Sequence, residues 1–293
     1  MAQFPSPQGP NLTGSIRRTS QYAIGHGAFT DVYEGEWRRP GFHPMVVAIK
    51  IFRGVHTEPE KYQHMMRRLL RECRVWHMLS HPNVQSYYGW CDSRDVGPSI
   101  GLISPFARNG TMVKFLQRKP EFDRFQLILD IASGLKYLHD NGIIHGDLHG
   151  NNVLINDFEN ACLSDFGRAR IIGHEGYSTA LNAGCTVFMA PELNPEEDDE
   201  TPAFSLMSDV YAFAMFSFEI MTGCFPLCPP GRPTPPPYLI IKRVHEGKRP
   251  ERWYDVNRCI SNPLWLWLEA GWRGTPTARP TMAQILLALP GCR

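Results

Sequence analysis

A chain of 293 residues is long enough to bury one large core or two modest ones. Its 30 basic and 29 acidic side chains nearly cancel, which removes any general electrostatic pull toward nucleic acid or an anionic membrane and leaves a neutral or modest-sized partner as the expectation. No apolar run approaches the roughly 18 residues that a membrane span needs, the opening "MAQFPSPQGPNLTGSIRRTS" has no apolar stretch of signal-peptide type, and the eight cysteines are dispersed without a Cys-x-x-Cys pair, so a soluble, cytoplasmic protein with reduced thiols is expected.

In chain order, residues 1–20 are rich in Pro, Gly, Ser and Asn and read as a flexible arm with one added strand near its end. "QYAIG", "TDVYEGEW" and "MVVAIKIF" are short β-branched and aromatic runs separated by Gly or Pro, the pattern of an antiparallel sheet. In "EKYQHMMRRLLRECRVWHMLS" the positions Tyr62, Met65, Met66, Leu69, Leu70, Cys73, Trp76 and Leu79 recur every three or four residues, which predicts an amphipathic helix ending before "HPN". Two more strands follow around "VQSYYGW" and "SIGLIS". Beyond Pro105 the periodicity turns helical. Asp123 is placed to cap a helix carrying Phe125, Ile128, Ile131, Ala132, Leu135 and Leu138, "VLI" and "ACLS" form a small hairpin, and "DVYAFAMFSFEIMTG" is apolar on nearly all sides, as a helix at the centre of a core should be. "NPEEDDE" (194–200) reads as a solvated loop. "CPPGRPTPPP" (228–237) reads as a rigid loop between helices in preference to a polyproline ligand.

"HGDLHGNN", His145 to Asn152, sits between the apolar runs "GII" and "VLI". His145 and His149 have the i, i+4 spacing of zinc ligands on a helix, but Gly146 and Gly150 disfavour that helix and no third ligand stands at a characteristic distance. The other reading is a loop presenting an acid, Asp147, for a proton and an amide, Asn152, for a cation. Elsewhere, "IGHGAFTDV" places Gly25 and Gly27 in a strand-turn-strand, where missing side chains let backbone N–H groups approach phosphate; the plainer reading is a turn needing φ > 0. Lys50 is the charge ending the apolar strand "VAIK", and a buried ammonium is tolerable mainly as a pair, for which Glu72 on the amphipathic helix is available. Asp165 in "LSDFGRAR" follows a buried strand, where a carboxylate can be an oxygen ligand for Mg²⁺ or simply an Asp-x-Gly turn.

The order settles what each motif leaves open. Gly25-x-Gly27, Lys50, Glu72, "HGDLHGNN", "SDFG" and "MAPE" (189–192) stand in the sequence order of the protein-kinase signature set. From about residue 20 to 290 the chain resembles a eukaryotic protein kinase catalytic domain, and the "GEW", "RLLRECRVWHMLSHPNV" and "ARPTM" stretches resemble the tyrosine-kinase-like group of Ser/Thr kinases. The resemblance implies an α+β, two-lobed kinase fold over 21–293, with a small antiparallel β lobe carrying one helix (about 21–104) and a larger, mainly helical lobe (about 105–293). It implies ATP and Mg²⁺ as cofactors and a protein as acceptor. Ile24, Gly25, Gly27, Val32, Ala48, Lys50, Glu72, Ser104, Ala107, Leu154 and Asp165 would then contact the nucleotide. Lys50, oriented by Glu72, would hold the α and β phosphates; Val32, Ala48 and Leu154 would sandwich adenine; the backbone at Ala107 would bond it; and the small Ser104 would leave an open rear pocket. Asn152 and Asp165 would hold Mg²⁺, Asp147 would orient and deprotonate the acceptor hydroxyl, and His145, Phe166, Asp209 and the Glu192–Arg279 pair would be structural.

The departures from that family are informative. Thr30 occupies the third glycine position of the loop. Gly146 replaces the Arg that usually precedes the catalytic Asp and pairs with a phosphate on the activation segment, so activity without phosphorylation at Tyr177, Ser178 or Thr179 is expected. His149 and Cys185 replace a coupled Lys and Thr, with Thr186 a displaced substitute, which implies altered or pH-sensitive transfer. Two rival functions share the pattern in part. "IIHGDLHGNNVLI" also resembles small-molecule phosphotransferases of the aminoglycoside and choline kinase type, against which stand "MAPEL", "SDVYAF" and "ARPT"; a pseudokinase scaffold would keep the nucleotide without turnover.

Overall fold

The computed structural model describes residues 5–27, 29–53, 59–92, 96–97, 99–172, 186–194, 204–229, 231–255 and 257–293. The chain divides into two compact units, Met1–Arg108 with Asn156–Phe158, and Asn109–Ile155 with Glu159–Arg293.

The first unit is built on an antiparallel sheet. Its strands are β1 (Ile16–Arg18), β2 (Gly25–His26), β3 (Thr30–Trp37), β4 (Met45–Phe52), β5 (Gly89–Cys91) and β6 (Gly101–Pro105). The order is β1-β3-β4-β6-β5, with β2 also pairing β3. Between β4 and β5 lies helix α1 (Pro59–Trp76), whose apolar stripe buries Met65, Met66, Leu69, Cys73 and Trp76. Side chains alternate across a strand, and this sheet uses both faces. Val47, Ile49, Ile51 and Ile103 join Leu12, Ile16, Cys91 and Val96 in one buried cluster. The opposite alternation, Val32 paired with Lys50 and Ala48 paired with Ser104, carries the candidate nucleotide residues. Gly35 is needed where the strands crowd: a Cβ there would lie 2.5 Å from Ile49 Cδ1 and 2.8 Å from the Arg17 carbonyl oxygen.

The segment whose composition suggests a loose arm is laid along this sheet. Leu12 N–H donates to the Trp90 carbonyl at 2.8 Å, β1 pairs with the end of β3, and Leu12 and Ile16 are buried. Two apolar residues in a polar stretch suffice because each finds a place in the cluster. The unit runs on past β6, where Arg108 N–H donates to Asp157 Oδ1 at 3.3 Å.

The second unit is mainly helical. It contains α2 (Met112–Arg118), α3 (Arg124–Asp140), β7 (Ile143–Ile144), β8 (Val153–Ile155), β9 (Ala161–Leu163), β10 (Arg170–Ile171), α4 (Leu206–Thr222), α5 (Pro237–His245), α6 (Asn262–Gly271) and α7 (Met282–Ala288). Asp123 caps α3 by accepting from Phe125 N–H at 3.1 Å and Gln126 N–H at 3.2 Å. β8 and β9 form the expected hairpin, and β10 pairs with β7. α4 begins in a Ser205/Ser208 capping box and ends at Gly223, whose φ of +69° suits a left-handed cap. Every residue from Ser208 to Phe218 of α4 is buried, and each large apolar side chain so placed contributes roughly 1.5–3 kcal/mol.

Arg279, fully enclosed, forms a two-pronged pair with Glu192 (2.6 and 2.8 Å) and also donates to the carbonyls of Arg273, Gly274 and Met207. The seven cysteines among the described residues are free thiols, and burial pushes Cys73 and Cys91 up to about 12. Among the described residues no helix is long and apolar enough to cross a membrane. Tyr177, Ser178, Thr179 and Cys185 lie outside the described residues, as does nearly all of the acidic run at 194–200.

Candidate active site

In the first unit the candidate residues converge through strand register. Gly25 pairs with Val32, Val32 with Lys50, and Lys50 with Leu102, so neighbouring strands bring glycine, apolar plate and ammonium onto one face of the sheet. Ile24 is exposed, and its N–H donates to the Val32 carbonyl at 2.8 Å. The turn closes with Gly27 N–H donating to Thr30 O at 2.7 Å. A Cβ at Gly27 would lie 2.6 Å from Thr30 Oγ1, whereas one at Gly25 would make ordinary contact with Val32 at 3.7 Å. Thr30 is buried, so a side chain at Gly27 would require the Thr30 hydroxyl to move. Lys50 Nζ donates to Glu72 Oε1 at 2.6 Å, with Glu72 only 1% exposed. Removing either partner strands a charge at a cost of about 3–5 kcal/mol. Ser104 is buried beside Ala48, and Ala107 lies half-buried in the segment after β6.

In the second unit the site is organised by a buried carboxylate. Asp209, on α4 and 2% exposed, accepts from His145 N–H at 2.7 Å and Gly146 N–H at 2.9 Å, and its Oδ2 lies 3.1 Å from His139 Nε2. Those contacts hold the loop after β7 in a fixed shape, with Gly146 at φ +73°, a conformation that glycine adopts without a Cβ penalty. His145 is fully buried and spends both ring nitrogens inside the protein. Nδ1 accepts from Asp147 N–H at 3.3 Å, so Nε2 carries the proton and donates to the Ser164 carbonyl at 3.2 Å. Its ring packs edge-on to Phe166, 5.7 Å between centroids. Neither nitrogen remains for a metal.

Asp147 and Asn152 are brought together directly. Asn152 Nδ2 donates to the Asp147 carbonyl at 2.8 Å and to Asp147 Oδ2 at 3.2 Å, leaving the amide oxygen as the atom with lone pairs to offer. On the other carboxylate oxygen, Arg168 Nη1 stands 3.4 Å and His149 Nε2 3.9 Å from Asp147 Oδ1. His149 Nδ1 accepts from Asn151 N–H at 3.3 Å. Burial holds the His149 pKa below its ordinary 6.5, against the opposing pull of Asp147. Asp165 leads the turn after β9 with φ +62°, ψ +74°, and its side chain accepts from Gly167 N–H at 3.3 Å. A left-handed aspartate costs on the order of 1 kcal/mol, and the turn places this carboxylate at the exit of the hairpin. Leu154 sits mid-strand in β8, paired with Cys162. A cavity of about 350 Å³, lined in part by Phe122, Arg124, Met221 and Leu264, lies toward the N-terminal end of α3, away from the loop that follows it, and contains none of these residues.

Sequence reasoning missed Arg168 and His139. No spacing rule singles out the Arg after "DFG", and His139 looks like any basic residue in the last turn of a helix.

Residues 19–289 match the family described as protein tyrosine and serine/threonine kinase. The chain belongs to that family. It is 28% identical over 256 residues to the serine/threonine-protein kinase STY17 of Arabidopsis thaliana (86% of this chain, 41% of that protein) and 30% identical over 273 residues to the probable serine/threonine-protein kinase gdt4 of Dictyostelium discoideum (90% and 15%). It is also 26% identical over 274 residues to the tyrosine-protein kinase transforming protein Abl of Abelson murine leukemia virus (91% and 33%). The chain thus spans 41% or less of the length of these relatives.

Proposed function

We propose that the chain is a catalytically active protein kinase domain that transfers the γ-phosphate of ATP to protein hydroxyls, Ser and Thr in preference to Tyr. The observation that carries this reading is the Asp147–Asn152 pair: a carboxylate held at both oxygens, next to an amide whose hydrogens are spent on the Asp147 main-chain carbonyl and on one carboxylate oxygen. Such a carboxylate is oriented to accept a hydroxyl proton, and orientation is most of what phosphoryl transfer asks of a protein.

The residues suit the cofactors that the family implies. The Asp165 carboxylate and the Asn152 amide oxygen are hard oxygen donors of the kind Mg²⁺ takes, and bound Mg²⁺ would neutralise charge on the phosphates. Lys50, kept in place by Glu72, would hold the α and β phosphates. Gly25 and Gly27 would bring backbone N–H groups to the phosphates, and Ile24, Val32, Ala48 and Leu154, with Ser104 and the backbone at Ala107, would receive adenine. His149, neutral, would offer one hydrogen bond where a lysine usually brings a charge. The Ser/Thr preference is supported by the printed names of the plant and Dictyostelium relatives. We read the protein as acting in the cytoplasm.

The test is incubation with γ-labelled ATP and Mg²⁺, offering a generic protein substrate and a panel of amino alcohols, with wild type and Asp147→Asn compared. Label on protein Ser or Thr that disappears in the variant is expected. Label on the amino alcohols, or a nucleotide-dependent melting shift with no transfer at all, would overturn the proposal in favour of a small-molecule kinase or a pseudokinase.

A further inference from the structure

The loop after α4 carries the prolines that family membership does not account for. Its base is tied down: Arg243 Nη1, on α5, donates to the Leu227 carbonyl at 2.9 Å, and the buried Cys228 thiol faces the carbonyls of Arg232 at 3.3 Å and Pro233 at 3.5 Å. Arg232 N–H closes a turn on Pro229 O at 3.1 Å. Beyond that anchor Pro233, Thr234, Pro236 and Pro237 are exposed. Pro236 has φ −63°, ψ 153°, the polyproline II conformation. Pro237 then opens α5, which buries Ile240 and Val244 and leaves Tyr238 72% exposed. Residues two apart on a helix point roughly 200° away from each other, so burial of Ile240 turns Tyr238 outward. The chain thus sets out two prolines, a spacer and an aromatic ring, Pro235-Pro236-Pro237-Tyr238, on a tethered base, with Pro235 half-buried and the other three exposed.

We propose that this segment is a docking site for a domain of the WW type, which seats a polyproline II turn in an aromatic-lined groove and the following tyrosine in an adjoining pocket. Polyproline II carries little conformational entropy left to lose, and a tethered base removes more, so binding spends less on ordering the ligand. The register favours this class over SH3 domains. An SH3 groove takes two prolines three apart with a cation three residues before the first or two after the second; around Pro233 and Pro236 those positions are Pro230 and Tyr238, while Arg232 is out of step.

The test is titration of the 293-residue chain with an isolated WW domain selective for Pro-Pro-x-Tyr peptides, followed by anisotropy or calorimetry, with an isolated SH3 domain run alongside. Saturable binding of the WW domain is expected, weakened roughly tenfold or more in Tyr238→Ala and in Pro236→Ala with melting temperature unchanged. A free peptide of residues 233–240 should compete, an arm that stands even if a variant folds poorly. No binding by wild type, no competition by the peptide, equal binding by the folded variants, or binding of the SH3 domain in its place would each overturn the proposal.

Discussion

The guanidinium of Arg168 stands 3.4 Å from Asp147 Oδ1 while Asn152 grips Oδ2 at 3.2 Å, so the carboxylate is fixed from two sides, one of them cationic. The cation comes from the turn that Phe166 opens, 21 residues along the chain. On the proposed reading of Asp147, Arg168 would act as a positioning residue. Arg168→Gln should lower the kcat of phosphate transfer by about 10- to 100-fold with the KM for ATP little changed, and Arg168→Lys should recover part of the loss. A variant that raised KM and left kcat alone would show that Arg168 serves nucleotide binding instead.

Because position 146 is glycine, a phosphate on the activation segment has no arginine there to pair with. Replacing Tyr177, Ser178 and Thr179 together by alanine should leave the rate of a dephosphorylated preparation unchanged. Loss of activity in a triple variant that melts normally would refute this.

His149 should act as a neutral donor. Its pKa is held below 6.5 chiefly by burial, so the unfolded chain takes up the proton first, and the stability this residue contributes is present above 6.5 and lost as pH falls through the lower folded value. Transfer should accordingly show no decline attributable to His149 as pH rises from 6.5, and an acid-side loss that His149→Gln removes. A pH–rate profile that climbs as pH drops through 6.5 would establish a protonated imidazole as the working form.

Glu219 on α4 gives a second pH signature, on stability. Burial raises its pKa from 4.5 to about 7. The folded chain therefore holds a proton that the unfolded chain releases, and the associated stability is full below 4.5 and disappears as pH rises to about 7. Glu219→Gln, which keeps a neutral side chain at every pH, should be more stable than wild type by roughly 2–3 kcal/mol at about pH 8 and no more stable near pH 4. Urea denaturation at the two pH values measures this, and an equal gain at both would contradict it.

Much of this was readable in advance because local chemistry and tertiary packing agree. Asp123 caps the helix its position suggests, the uniformly apolar run becomes the buried α4, and alternation along "MVVAIKIF" separates core residues from Lys50 and Ala48. What stayed hidden depends on distant partners. Leu12 and Ile16 look like isolated apolar residues in a polar arm until β3 and β5 supply neighbours. Arg168 and His139 acquire meaning only through Asp147 and Asp209, 21 and 70 residues away, and nothing in local periodicity encodes such pairings.

Asp209 has a wider consequence. Because one enclosed carboxylate on the most deeply buried helix grips the backbone at His145 and Gly146 and faces His139, the shape of the loop that bears Asp147 is subordinate to the integrity of that helix. The loop should not loosen as a separate foldon: amides at 145 and 146 should exchange with solvent only in openings that also expose the middle of α4. Partial melting that spares catalysis is then confined to segments that do not report to this carboxylate.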